Sequence, residues 1–385
     1  MEFAYPYLLL VIIYGSLAVY AHFNSESQMK TMCVNILSVV VFVFFFGLRG
    51  FVAYDWTSYY PEYQSLTDLR TLFTLPLNKW TWEPGFMIFG VISKTIYPNY
   101  FFFQFLCILI NVTLLMMFFR RYVSNIPLAF MIMLVMSGFE ININLVRNSI
   151  SILLFVNAIV FIEKKQFLPF LLVCLLGFTF HSSSLAYIPM YFIINRKFNK
   201  YIMMAIFAVA NVIYLFHIPI LKSLILLVVD YIMPSTKLWV EAYLSMDLST
   251  GSVLSIGYLE RLLTGILLFC YIDKLREIRN GNNIFVNSML FYLCTFLFLS
   301  EFRTISLRCS YLFIYAYWIV WIDLIKCFTY RNNKILYLSF VALYSLLKVY
   351  FLNTTAMSEY YNITIENKPY NERLIHFRQH FNDVK

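Results

Sequence analysis

The chain has 385 residues, of which 61% are hydrophobic and only 13% charged, and its mean hydropathy is +0.72. Soluble domains carry about a quarter charged residues, so this composition excludes a water-soluble globular protein and indicates an all-α, polytopic membrane bundle. A formal net charge of +9 raises nucleic acid as a partner. The basic residues are dispersed among loops, however, and bilayer orientation with anionic lipid explains them better; no nucleic acid is expected.

Residues 5–20 lack a basic leader and a small-residue cleavage site, and read as a retained first helix. A spanning helix needs roughly 20 apolar residues. Further candidate spans follow at 32–48, 100–119, 126–139, 145–162, 167–180, 185–194, 201–216, 256–272, 284–300, 306–322 and 335–352, about twelve crossings in all. The seven cysteines lie in or beside apolar runs and form no CxxC pair. Neither a disulfide framework nor a metal site is suggested, and no cofactor is expected.

Short linkers carry Lys30; Arg120 and Arg121; Lys164 and Lys165; Arg196, Lys197 and Lys200; Lys274, Arg276 and Arg279; and Lys326, Arg331 and Lys334. All fall on one side if both termini face the other, and the excess of positive charge makes that side cytoplasmic. Residues 167–194 then form a hairpin of two short helices, and 83–97 a re-entrant or surface-lying helix. A polytopic domain over 1–352 results, with outer loops at 49–99 and 218–255, an outer turn at 301–305 and an extracytoplasmic tail at 353–385. Within the second loop, 228–245 reads as amphipathic, with Asp230, Lys237, Trp239 and Glu241.

Charged and polar residues gather on the outer side. FFFGLRGFVAYDWTSYYPEY (44–63) places Arg49 where the second span ends. An arginine at a helix centre costs about 2.5–3.5 kcal/mol on insertion scales and less towards the ends, so snorkelling to the headgroups is its plainer reading. Asp55 and Tyr59 share a face if that stretch is helical; otherwise Asp55 is a solvated loop acid. In FEININLVRNSISILLF (139–154), a helix beginning near Asn144 lines up Asn144, Arg147, Asn148 and Ser151. That stripe is either a buried anion site or a structural pairing of Arg147 with Glu140 or loop carbonyls.

His181 sits at the tip of the short hairpin, before Ser182, Ser183 and Ser184, which can cap the next helix. It is either a hydrogen-bonded turn residue or a proton-transfer group. SEFRTISLRCS adds Glu301, Arg303 and Arg308 at another outer turn. Trp80 and Trp82, next to Glu83, suit an interfacial belt or a sugar-stacking platform. Arg49, Arg147, Arg303 and Arg308 thus fall on one membrane face with few acids to balance them. Guanidinium forks match phosphate oxygens, so a lipid-linked phosphate or pyrophosphate fits, with Asp55, Glu83, Glu140, Glu301 and His181 available as bases.

The order of these pieces resembles the EpsG family of polysaccharide polymerases, relatives of Wzy-type O-antigen and capsule polymerases. It is carried by GLRG-x4-D-x3-Y (Arg49, Asp55, Tyr59) and WEPGF (Trp82, Glu83, Gly85, Phe86). The helix R-N-x-I-x-x-x-[IL] (Arg147, Asn148), the pair Lys164–Lys165 and F-H-S-S-x-L-x-x-[IL]-P (His181, Ser182, Pro189) complete it. It covers 48–192; the remainder matches only as a run of helices. One departure is Ala53, where the pattern has a glycine shortly before the acid. The resemblance implies a glycosyltransferase of GT-C-like architecture in a bacterial inner membrane, joining undecaprenyl-diphosphate-linked repeat units into O-antigen, capsule or exopolysaccharide. A hydroxyl of the incoming unit attacks the anomeric carbon of the growing chain, and lipid diphosphate departs.

On this reading Arg49 and Arg147, with Arg303 and Arg308, hold the diphosphate, and His181 lies near it. Asp55 or Glu83 acts as base, and Tyr59, Trp80, Trp82 and Asn148 face the sugars. Partners would be membrane lipid, a chain-length regulator and a flippase. Rival readings are a flippase or exporter of the same lipid-linked sugars, an O-acyltransferase and an O-antigen ligase. A transport path would continue cations through the bilayer, whereas here they concentrate at one end. An acyltransferase would want a His or Asp deep in a span.

Overall fold

The computed structural model describes residues 2–76, 79–232, 240, 244 and 254–380. Among them, secondary structure is helical apart from an isolated antiparallel bridge between Arg49 and Asn362 and a bridge position at Phe302. In chain order the helices begin α1 (Tyr5–Phe23), α2 (Gln28–Phe42), α3 (Trp56–Ser65), α4 (Leu69–Thr74), α5 (Pro84–Ile96), α6 (Tyr100–Tyr122) and α7 (Ile126–Met133). There follow α8 (Phe139–Ile143), α9 (Val146–Glu163), α10 (Phe167–Phe180), α11 (Met190–Ile193), α12 (Lys200–Leu215), α13 (Ile220–Ile232) and α14 (Ile256–Cys270). The last are α15 (Ile272–Glu277), α16 (Asn283–Phe298), α17 (Arg303–Tyr311), α18 (Tyr315–Cys327), α19 (Arg331–Leu352) and α20 (Tyr370–His380). They form two compact units, Met1–Tyr191 with Tyr330–Lys385, and Phe192–Thr329.

Among the described residues, six helices are long and apolar enough to cross a membrane: Glu2–Phe23, Gln28–Gly47, Tyr100–Tyr122, Ile126–Ile143, Val146–Glu163 and Arg331–Leu352. All belong to the first unit. In the second, α17 and α18 would make a seventh if taken together, but they are bent by 65°. This is well short of the expected dozen, for reasons of length. Pro84–Ile96, Phe167–Phe180, Lys200–Leu215 and Asn283–Phe298 are apolar but have fewer than 18 residues. The expected span at 185–194 is a 3-10 turn, Ser182–Tyr187, followed by the single turn α11. Pro189, with no N–H to donate, separates the two. Most of the amphipathic stretch at 228–245, including Lys237, Trp239 and Glu241, lies outside the described residues.

In the first unit, side chains that compete with backbone groups mark where helices begin. Asn99 accepts from the Phe101 N–H (2.8 Å) and Asn125 from the Leu128 N–H (3.0 Å), starting α6 and α7. The fourth span is broken at Met136 and Ser137, where Ser137 has φ 66°. Below the break Asn142 donates to the Gly138 carbonyl (2.8 Å) and accepts from Asn111 Nδ2 (3.1 Å). Asn111 also donates to Ser149 Oγ (3.0 Å). Polar groups from α6, α8 and α9 therefore satisfy one another inside apolar packing, as a site shielded from water requires.

The spans alternate in direction. At one end Gln104 Nε2 donates to the Arg49 carbonyl (2.7 Å), Arg49 Nη2 to the Ile143 carbonyl (3.3 Å) and the Tyr7 hydroxyl to the Ser358 carbonyl (2.9 Å). The starts of α1 and α6, the ends of α2 and α8 and the segment after α19 therefore meet there. At the other end Asn125 Nδ2 donates to the Ala18 carbonyl (2.8 Å) and Arg121 to the Asn157 carbonyl (3.5 Å). The basic linkers carrying Lys30, Arg120, Arg121, Lys164 and Lys165 lie at this second end.

The segment after α19 pairs with the loop after α2. Gly50 N–H donates to the Tyr361 carbonyl (2.9 Å), Ile363 N–H to the Leu48 carbonyl (2.9 Å) and Ala53 N–H to the Met357 carbonyl (3.0 Å). A Cβ at Gly50 would lie 2.0 Å from the ring of Tyr361. That ring is pinned, because its hydroxyl accepts from the Phe51 N–H at 2.8 Å. Ala53 has φ 63°, a left-handed conformation at the position where the resemblance leads one to expect glycine. An L-residue there carries about 1–2 kcal/mol of strain, less the ~0.5–1 kcal/mol of entropy that a glycine would lose on folding. Ala53→Gly should therefore raise stability by up to about 1 kcal/mol, read as a higher melting temperature of the detergent-solubilised protein. An unchanged or lower value would show that the loop is relaxed.

Candidate functional site around Arg147

Arg147 lies in the first turn of α9, its side chain 28% exposed. Nη1 is 2.6 Å from Glu83 Oε2. Nε donates to the Tyr59 hydroxyl at 3.0 Å. Among the described residues Nη2 makes no hydrogen bond, so one N–H edge of the fork remains available.

Each partner is delivered by local chemistry. Glu83 precedes Pro84, which occupies the first position of α5, where a missing N–H costs nothing. Its carboxylate does not cap α5. Oε2 goes to Arg147, and Oε1 accepts from the Ser182 N–H at 3.3 Å. This bridge requires α5 to come close to the end of α10, which Gly85 allows. A Cβ at Gly85 would lie 2.8 Å from Thr179 Cβ and 3.0 Å from its carbonyl oxygen.

On the α10 side, the Ser183 hydroxyl donates to Asn148 Oδ1 (2.9 Å), and the Ser183 N–H donates to His181 Nδ1 (3.2 Å). The Ser183 hydroxyl also lies 2.8 Å from His181 Nδ1. Helices α3, α5 and α9 and the turn after α10 thus bring Tyr59, Glu83, Arg147, Asn148 and His181 together.

Tyr59 is 8% exposed. Burial pushes its hydroxyl up to about 12 against the pull of Arg147, so it is a neutral phenol at physiological pH. One turn later on α3, burial raises the carboxyl of Glu62, an effect offset in part by the charge of Arg147 and a bond from Trp82. Glu62 belongs to no motif and was passed over in the sequence; its spacing from Tyr59 is the signal that could have found it. Lys94 was also missed. Its ammonium donates to the carbonyls of Tyr63 (3.2 Å), Gln64 (2.7 Å) and Leu66 (2.8 Å), closing the C-terminal end of α3 from α5.

Other expected site residues sit differently. Arg49 is 3% exposed and donates to the carbonyls of Phe46 (2.6 Å) and Ile143 (3.3 Å). It neither snorkels nor joins Arg147, because a buried guanidinium takes the acceptors within reach. Trp82 is 5% exposed, stacks parallel to Phe103 at 6.0 Å and meets Phe86 edge-on at 5.0 Å. It is a core ring rather than an open platform. Trp80 is half-buried and donates to the Leu75 carbonyl at 3.3 Å. Asp55 immediately precedes α3, and its carbonyl accepts from the Tyr59 N–H at 2.9 Å.

Helix α9 begins at Val146, not Asn144, so the expected polar stripe is divided. Asn144 Oδ1 accepts from the Tyr54 N–H at 3.2 Å, and its Nδ2 donates to Glu140 at 2.9 Å. The acid paired with Arg147 is therefore Glu83 rather than Glu140. Ser151 is buried beside Gly177 of α10, and Ser149 bonds to Asn111 instead. Arg303 and Arg308 belong to the second unit, exposed on α17, where Glu301 accepts from the Lys222 N–H at 3.1 Å. Among the described residues, no group of three His, Cys, Asp or Glu side chains is placed to hold a metal.

The arrangement can bind an anion at the open edge of Arg147, and it holds a carboxylate and an imidazole beside it. Gly85→Ala should push α5 off α10 and part Glu83 from Ser182, at a cost of about 1–3 kcal/mol. Thermal unfolding measures this, and a cost below ~0.5 kcal/mol would mean that the two helices have room to spare.

Searches of curated proteins and of solved structures return no match. The model of the EpsG family matches residues 32–371, which include every residue of the Arg147 cluster. The chain belongs to the EpsG family, a Wzy-like family of polysaccharide polymerases.

Proposed function

We propose that the protein polymerises undecaprenyl-diphosphate-linked oligosaccharide repeat units, transferring the growing glycan to the incoming unit at the outer face of a bacterial inner membrane. The observation that carries this reading is Arg147, a guanidinium with an open edge, held between a carboxylate and a phenol beside a histidine. The basic linkers at the opposite end of the first unit support the orientation, since positive charge is retained in the cytoplasm.

The donor diphosphate takes the open edge of Arg147 and competes with Glu83 for the rest of the fork. That competition frees the Glu83 carboxylate to face the acceptor hydroxyl. The acceptor hydroxyl attacks the anomeric carbon and gives its proton to the carboxylate. The bond from that carbon to the phosphate oxygen breaks, and its electron pair leaves with the diphosphate, whose growing charge Arg147 and the imidazole of His181 stabilise. Asp55 and the half-buried Trp80 line the approach for sugars. Arg49 acts from beneath, fixing the loop that leads to α3. Arg303 and Arg308, exposed in the second unit, are by themselves cations that suit a phosphate.

Deleting the protein should leave single repeat units accumulating on the outer face, seen by analysis of lipid-linked glycans; retention on the inner face would instead identify a flippase. Arg147→Lys keeps the charge but loses the fork, and should cut polymer yield about 100-fold at unchanged protein level. Normal polymer from that variant would remove Arg147 from the reaction.

A further inference from the structure

The segment after α19 does more than touch the loop after α2. Its helix α20 lies against α3, the helix that presents Tyr59. Tyr370 stacks on Tyr60 with ring centres 4.4 Å apart and meets Trp56 edge-on at 5.7 Å. Phe377 adds a second edge contact to Trp56 at 5.8 Å. Tyr60 is the residue next to Tyr59, whose hydroxyl holds Arg147.

The segment is in turn folded around one carboxylate. Glu359 accepts from Lys368 Nζ (2.7 Å) and from Arg373 Nη1, and His376 Nε2 lies 3.5 Å away. Arg373 is 4% exposed, and its guanidinium packs 5.6 Å from the ring centre of Tyr361. Tyr361 is the ring that closes over Gly50 and binds the Phe51 N–H. An unbroken chain of contacts therefore runs from Glu359, through Arg373 and Tyr361 to the loop, and through Tyr370 to α3. A tail with no task at the site would need neither a buried arginine nor ring stacking on α3.

We infer that the segment 353–380 is a strap that positions Tyr59 against Arg147, with Glu359 and Tyr370 as its positioning residues. Neither residue touches substrate. Their effect passes through α3 to the phenol that orients the guanidinium fork, and so to the affinity for a diphosphate. The inference rests on the diphosphate reading of Arg147.

The test uses the full chain in detergent, with Tyr370→Ala and Glu359→Gln as variants and inorganic pyrophosphate as the probe. Hydrogen exchange of the α3 amides is followed beside pyrophosphate affinity, with α6 as the internal reference. In both variants α3 should exchange at least tenfold faster while α6 is unchanged, and pyrophosphate should bind about tenfold more weakly. Glu359→Asp, which keeps the carboxylate, should recover most of the affinity lost in Glu359→Gln. Unchanged exchange in α3 overturns the strap. Faster exchange with affinity within twofold of the unaltered protein also overturns it, because the segment would then be structural only. If the unaltered protein does not bind pyrophosphate, the reading of Arg147 fails first, and exchange in α3 still decides whether the strap holds that helix.

Discussion

A guanidinium at the edge of a membrane bundle must be given acceptors, and the way Arg147 is given them organises this end of the molecule. Its partners come from segments far apart in the chain, a phenol on α3 and a carboxylate before α5. That carboxylate extends the bridge to the turn after α10 through the Ser182 N–H. Without that charge, α3, α5 and the turn after α10 would lose the polar point they share and keep only packing such as Tyr59 against Trp82 and Phe86. Arg49 meets the same constraint differently. It is buried almost completely and spends its donors on carbonyls, which makes it a tie between spans. Two arginines on one face thus follow opposite courses, decided by whether a carboxylate or only backbone is within reach.

Around this point the structure alternates rigid apolar packing with small polar joints. The Asn111–Asn142–Ser149 cluster locks the inner part of α6, α8 and α9. Lys94 closes the far end of α3. The left-handed Ala53 turns the chain from the end of the second span into α3. Each joint uses residues that would be costly if unpaired, so each specifies a single arrangement where a wholly apolar interface would permit several.

Much of this was legible in the chain. Apolar runs gave the six long spans to within a few residues, because hydrocarbon leaves little latitude in where a spanning helix can end. The motifs carrying Tyr59, Glu83, Arg147, Asn148 and His181 pointed at side chains that do converge. Short runs misled, since an apolar decapeptide such as 185–194 is equally a pair of turns. The partner of Arg147 was hidden because Glu140 is the acid nearest to it in sequence, and only the approach of α5 to α10 brings Glu83 within reach. Trp82 was misjudged because burial depends on Phe86 and Phe103 arriving from other helices. The role of Glu359 had no local signal at all: its cations lie beyond it in the chain, and its loop lies some three hundred residues before it.

Helix α10 has 14 residues, about 21 Å of helix where the hydrocarbon layer is about 30 Å thick. Lipid beside so short a wall is matched by thinning, at a modest cost per ångström. A lipid headgroup beside α10 would then sit nearer His181 and Ser182 than one beside the longer spans would.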